Sequence, residues 1–198
     1  MFSRIRTAAF LGIDAYPVDV EVDITNGLPS FSTVGLAQGA VKESRERVFA
    51  ALHNAGFSSP LKRVTVNLAP ADIRKDGTAF DLPIAVGLLA ASGQVSEERL
   101  ADHFVVGEVG LEGDLRPVRG ALSMALAARQ AGCGGMLLTA ANLPEAAVVD
   151  GLEVRGAYVA SAYYRPEEDG GWFTPDGWFR TGDIAAIDPR GYLEIRDR

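Results

Sequence analysis

Pro17-Val18-Asp19-Val20-Glu21-Val22-Asp23-Ile24-Thr25 sets Val18, Val20, Val22 and Ile24 on one side of an extended chain and Asp19, Glu21, Asp23 and Thr25 on the other. A period of two with one apolar side marks a half-buried strand, which needs neighbours to complete its sheet. Upstream, Thr7 to Ile13 reads as a partner strand, with Asp14-Ala15-Tyr16-Pro17 as the connecting turn. Downstream, Asn26-Gly27 and Pro29 mark a second turn into a short strand over Ser30 to Val34. The chain is expected to open as a β-meander.

The period then changes. Ala37, Ala40, Val41, Ser44, Val48, Ala51, Leu52 and Ala55 recur at helical spacing, while Lys42, Glu43, Arg45, Glu46 and Arg47 fall off that stripe and Gly56 stands where a helix would end. Arg63 to Leu68 predicts another strand. Beyond the polar run Asp72 to Thr78, the segment Leu82 to Ala91 predicts a buried helix, with Asp81 as its N-cap, Pro83 in its first turn and Gly93 past its end. Phe104 to Val106 and Leu115 to Val118 flank a glycine-rich turn, a helix runs from Ala121 to Ala131 and stops at Gly132, and Gly135 to Leu138 reads as the last short strand of this part. Sheet and helices in this arrangement predict an α+β fold.

Composition narrows the function. The chain has 198 residues, 47% of them hydrophobic, and a net charge of −7, so it suits a folded domain and generates no overall basic field to gather nucleic acid or anionic membrane. With one cysteine, Cys133, and two histidines, His53 and His103, far apart in sequence, neither an internal disulfide nor a metal-ligand spacing exists, and no metal or cofactor is expected. No apolar run approaches the roughly 18 residues of a membrane span, and the start Met1-Phe2-Ser3-Arg4-Ile5-Arg6 lacks a signal-type apolar core. The expectation is a cytoplasmic protein without membrane partners.

After about Gly151 the texture changes. Tyr158, Tyr163, Tyr164, Trp172, Phe173, Trp178 and Phe179 cluster around the acidic, glycine-rich Glu167-Glu168-Asp169-Gly170-Gly171. Ile184 to Ile187 and Tyr192 to Ile195 then read as a hairpin about Asp188-Pro189-Arg190-Gly191, a sequence suited to a type I turn.

Several segments invite a chemical reading. Gly107-Glu108-Val109-Gly110-Leu111-Glu112-Gly113 has neither the dinucleotide nor the triphosphate-loop spacing and carries two acids, so it reads as a turn between strands. Cys133 lies between two glycines with no histidine near it in sequence and reads as a small core filler; His53 and His103 read as surface or core residues. Arg45, Arg47, Lys62 and Arg63 form a basic patch on paper, but the interleaved Glu43 and Glu46 point to ion pairs on a helix surface. The chain has three lysines, Lys42, Lys62 and Lys75, and none has apolar neighbours in sequence that would keep its amine neutral.

The run Lys75-Asp76-Gly77-Thr78-Ala79 resembles the nucleophile loop of Lon-type proteases, in which a catalytic serine follows the small residue. Here that position is Ala79. The likeness extends through Gly107-Glu108-Val109 and Gly113-Asp114-Leu115-Arg116-Pro117-Val118 to the helix opened by Gly120, where the protease lysine is matched by Met124. A thioether cannot take a proton from a hydroxyl, so the resemblance implies a vestigial Ala79/Met124 pair and a cleft without a proton-transferring side chain.

Residues 2 to about 152 more strongly resemble the N-terminal domain of the magnesium-chelatase-like AAA ATPases of the competence protein M (ComM, YifB) family. The segments that carry this are Leu11-Gly12-Ile13-Asp14-Ala15, Gly27-Leu28-Pro29-Ser30-Phe31, Val34-Gly35-Leu36, Val41 to Val48, Val66-Asn67-Leu68-Ala69-Pro70-Ala71-Asp72 and Phe80-Asp81-Leu82-Pro83-Ile84-Ala85. The resemblance implies a ribosomal protein S5 domain 2-like fold over 1–152 and a role in DNA processing during natural transformation. It also implies an AAA ATPase module and like subunits as partners, with DNA an indirect one. No Gly-x-x-x-x-Gly-Lys-Ser/Thr occurs in the sequence, so the ATP-driven step is not expected of these residues.

From about Val154 to Arg198 the chain instead resembles the AMP-forming acyl-CoA synthetases, through Val159 to Tyr164, Asp176-Gly177-Trp178-Phe179-Arg180-Thr181-Gly182-Asp183, Asp188 to Ile195 and Asp197-Arg198. The resemblance implies that Asp183 and Arg198 contact the ribose of ATP; a carboxylate suits two vicinal hydroxyls. The serine- and glycine-rich phosphate loop and catalytic lysine of that family have no counterpart here. The reading is thus a chimeric or truncated chain: a non-catalytic interaction domain over 1–152, followed over 153–198 by a ligase fragment that is not an independent domain. An ATP-binding ligase fragment and a Lon-like serine peptidase are the alternatives.

Overall fold

The alternating segment forms one arm of a long hairpin. In the computed structural model, which describes residues 1–156, 184–187 and 193–197, β1 (Phe2–Leu11) runs antiparallel to β2 (Asp14–Thr25), with Ile5 opposite Val20 and Thr7 opposite Val18. The turn sits at Gly12-Ile13, not at 14–17 as expected. Gly12 takes φ +70, which a residue without a Cβ adopts at little cost, so two residues reverse the chain and Asp14 to Pro17 extend the strand.

The expected meander ends there. β3 (Ser30–Val34) lies parallel to β4 (Arg63–Ala69), with Ser30 opposite Arg63, and β4 in turn pairs antiparallel with β2, Val66 facing Val22. The helix α1 (Gly39–Asn54) carries the chain back between β3 and β4, which makes them a parallel crossover unit instead of a hairpin. α1 buries Val41, Ser44, Val48, Ala51 and Leu52, and Gly56 follows it at φ +83, as its spacing predicts.

α2 (Asp81–Ala91) is buried nearly all round and packs with α1 over the apolar side of β2 and β4. Its N-cap is Phe80; Asp81, expected there, is the first helical residue, with its carboxylate turned to another task. Gly87 lets α2 approach the sheet closely, since a Cβ there would meet Val22, and Ser3 Oγ donates to the Gly87 carbonyl at 2.8 Å.

β5 (His103–Val105) adds parallel to β1. β6 (Glu108–Val109) and β7 (Leu115–Arg116) form a separate small hairpin, closed by Gly110 N–H to the Asp114 carbonyl at 2.8 Å, so the turn is confined to Gly110–Asp114 and Glu108-Val109, expected within it, is a strand. α3 (Ala121–Gln130) packs Met124, Ala125 and Ala128 with Phe104, Val106, Met136 and Leu138 into a second apolar cluster. β8 (Gly135–Leu138) pairs parallel with β5, and after the short α4 (Leu143–Ala146) a further strand, β9 (Glu153–Gly156), pairs parallel with β8. The strand over 135–138 is therefore not the last of this part.

The seven strands run in the order β3-β4-β2-β1-β5-β8-β9. Sheet and helices mix as an α+β reading expects, but four of the six pairings are parallel, because crossovers join the outer strands. The chain divides into two units, residues 1–161 and 162–198. In the second, β10 (Ile184–Ile187) pairs antiparallel with β11 (Leu193–Asp197), the hairpin expected there; its turn lies outside the described residues. No helix among the described residues is long and apolar enough to cross a membrane.

Candidate functional site

The polar loop, the start of α3 and the end of β1 enclose a cavity of about 290 Å³. Ala8, Ala9 and Phe10 of β1, Ala79, Phe80, Val118 and Met124 give it an apolar lining; Asp76, Thr78, Glu108 and Arg119 add polar groups. Ala79 and Met124, about 45 residues apart in sequence, thus stand on the wall of one hollow. The apolar pair has no proton to trade. Two carboxylates, Asp76 and Glu108, also line the cavity, so the expectation of a cleft without a proton-transferring side chain is overturned.

Glycine geometry holds the walls. Gly120, the N-cap of α3, takes φ +76, and a Cβ there would run into the Phe10 ring. Ser123 Oγ donates to the Ile13 carbonyl at 3.1 Å, pinning the hairpin tip to α3. Asn142 bridges Val118 through both backbone groups, accepting from its N–H at 2.9 Å and donating to its carbonyl at 2.8 Å.

Lys75 departs furthest from its sequence reading. It is fully buried, and its ammonium donates to the Pro70 carbonyl. Burial pushes its pKa below the ordinary lysine range, with Asp72 pulling in the opposite direction. Neighbours in sequence could not reveal this, because the backbone buries it: Lys75 N–H donates to the Leu36 carbonyl and Gln38 N–H to the Lys75 carbonyl, at 3.2 and 2.9 Å. Lys75 does not line the cavity, and its amine makes no hydrogen bond to Thr78.

Arg47 is no surface patch residue. Its Nε and Nη2 clasp Asp81 Oδ2 and Oδ1 at 2.7 and 2.9 Å, and Nη2 also reaches the Ala40 carbonyl at 2.8 Å. Asp81 is wholly buried. Burial raises its pKa while the Arg47 hydrogen bonds and the Val109 N–H pull it down; the Asp81 bond in turn raises that of Arg47. Sequence reading missed this pair, although an acid wedged between Phe80 and Leu82 is a signal for a buried charge. Of the residues grouped with it, Arg45 and Arg63 are exposed and Lys62 is half-buried, and Arg45 pairs with the adjacent Glu46 at 3.3 Å, an ion pair on the helix surface as expected.

Cys133 is buried in the second apolar cluster, and burial raises its thiol pKa, in keeping with a core filler. His53 is exposed; His103 is half-buried at the start of β5, its Nδ1 without a hydrogen-bond partner. Asp183 and Arg198 lie outside the described residues. Among the described residues no group of three or more His, Cys, Asp or Glu is placed to hold a metal.

The fold and cavity define a mixed α/β domain with a hollow whose wall carries both Ala79 and Met124. Residues 20–142 match the family described as the subunit ChlI of Mg-chelatase, and the chain belongs to that family. It is 48% identical over 130 residues to the YifB protein of Escherichia coli, covering 66% of this chain and 26% of that one. It is also 48% identical over 126 residues to the competence protein ComM of Haemophilus influenzae, covering 64% and 25%. The chain thus spans about a quarter of the length of these two relatives. A shorter stretch, 48 residues, is 56% identical to the long-chain-fatty-acid–CoA ligase 4 of Saccharomyces cerevisiae, or 24% of this chain and 7% of that enzyme.

Proposed function

We propose that residues 1–152 are a non-catalytic interaction and assembly domain of a ComM-like, Mg-chelatase-related ATPase, built on the ribosomal protein S5 domain 2-like fold. The observation that carries this reading is the pair Ala79 and Met124 on one cavity wall: the two positions that a Ser-Lys mechanism needs are filled by a methyl and a thioether. Its partners are an AAA ATPase module and like subunits. DNA processing during natural transformation is then work to which this domain contributes by holding the motor together, touching DNA only indirectly. Its setting is the cytoplasm.

Purified chain mixed with the AAA ATPase module of a ComM-family protein tests the proposal by analytical ultracentrifugation. A saturable complex with a defined stoichiometry is expected; two species that sediment independently at micromolar concentrations would refute it.

The similarity to the yeast ligase favours a second reading of the tail alone, as a fragment of an adenylate-forming enzyme with Asp183 and Arg198 in ribose-binding positions. A fragment without the rest of the nucleotide pocket does not hold ATP. An unchanged melting temperature in excess ATP is expected, whereas a rise of several degrees would show a working nucleotide site.

A further inference from the structure

Three of the four asparagines in the chain are held by hydrogen bonds through their side chains. Asn54 Nδ2 donates to the Leu111 carbonyl at 2.7 Å, Asn67 Nδ2 donates to Glu21 Oε2 at 2.8 Å, and Asn142 holds both backbone groups of Val118. Asn26 is the exception. It is exposed, and among the described residues neither its carboxamide nor the Gly27 N–H has a hydrogen-bond partner.

Asn26 and Gly27 lie in the connection 26–29 between β2 and β3, which passes the start of β4: Thr25 and Ser30 both stand opposite Arg63. All of this connection is exposed, so water reaches both groups. Asn54, Asn67 and Asn142 precede Ala55, Leu68 and Leu143, whose side chains crowd the amide nitrogen that follows each asparagine. Gly27 has no Cβ to do so, and it takes φ 151, a conformation that side-chain-bearing residues rarely adopt. Arg63 Nε lies 3.9 Å from the point where a Cβ on Gly27 would stand, and a cation there favours the deprotonated form of a neighbouring group.

We infer that Asn26 is a site of spontaneous deamidation through a cyclic imide formed with Gly27. The Gly27 nitrogen gives up its proton and bonds to Asn26 Cγ as the Cγ–Nδ2 bond breaks, and Nδ2 leaves with that proton as ammonia. Water then opens the imide at either carbonyl, giving aspartate by one route and isoaspartate by the other. The sum is an amide and water turned into an acid and ammonia, with nothing oxidised or reduced. Either product adds one negative charge at neutral pH, and isoaspartate also lengthens the backbone of the connection. This goes beyond the assembly reading and does not depend on it.

The full chain and a synthetic peptide of residues 22–31, warmed side by side in mildly alkaline buffer, test this by peptide mapping with an isoaspartyl methyltransferase assay. Asn26 of the folded chain is expected to convert within about tenfold of the peptide rate, and about tenfold or more faster than Asn54, Asn67 or Asn142, which react only when their surroundings open. Aspartate and isoaspartate should both appear at position 26. Asn26→Gln, a surface change within about 0.5 kcal/mol of neutral, should remove the acidic species that ion exchange resolves. Conversion of another asparagine first, aspartate at position 26 without isoaspartate, or a folded chain slower than the peptide by more than that tenfold margin would each overturn the inference.

Discussion

Arg47 of α1 grips Asp81 at the head of α2 through both carboxylate oxygens, at 2.7 and 2.9 Å, and so ties together the two helices that cover the first core. Removing one partner strands the other: Arg47→Met leaves a wholly buried carboxylate without its cation. The variant should lose about 3–5 kcal/mol, and Arg47→Met with Asp81→Leu should recover most of it, since two apolar groups of similar size need no partner. Urea unfolding midpoints check both; a single variant that costs less than about 1 kcal/mol would contradict the role assigned to the pair.

Lys75 makes stability depend on alkaline pH. The unfolded lysine keeps its proton to about pH 10.4, whereas the buried one releases it earlier because burial lowers its pKa. Between those two values the unfolded chain binds more protons, so stability rises with pH and levels off above the unfolded value. Measured against Lys75→Met, the parent chain should gain stability as pH climbs from the lowered folded value toward about 10.4. A difference that stays flat across this range would contradict the burial of the ammonium.

Cys133 should resist alkylation in the folded protein. Its thiol is buried and its pKa raised, so little thiolate exists and little reagent reaches it. Iodoacetamide followed by mass measurement should show labelling slower by about a hundredfold or more in buffer than in denaturant, the factor reflecting the rarity of opening. Equal rates would place the thiol at the surface.

Gly120→Ala should close the cavity from its rim. The residue sits at φ +76, where a Cβ costs about 1–2 kcal/mol, and that Cβ would press into the Phe10 ring. A total loss of about 2–4 kcal/mol in thermal or urea unfolding is expected once overpacking is added. A neutral substitution would mean that Phe10 does not form the wall.

What the sequence showed depended on how local each cause was. The alternation of Val18 to Ile24 and the helical stripe from Val41 to Leu52 are visible in their own residues, and both elements stand where they were expected. Strand pairing is not local: nothing within Ser30 to Val34 says that β4, thirty residues on, will take the place beside β2. Asp81 has the composition of an N-cap, and only the arrival of Arg47 from another helix turns it into half of an ion pair. Lys75 lies between Arg74 and Asp76, and its burial follows from backbone bonds to Leu36 and Gln38 that no window around it contains. The Ala79 and Met124 positions came from resemblance; their shared cavity is a property of the folded chain.

The claim that the cavity supports assembly without catalysis is tested most directly at Thr78, whose hydroxyl side chain lines it beside Ala79. The full chain, incubated with a broad hydroxyl-directed fluorophosphonate probe and examined by intact mass and peptide mapping, should carry no adduct at Thr78 or at any serine. Stoichiometric labelling at Thr78, lost on unfolding, would show an activated nucleophile in the hollow and contradict the account.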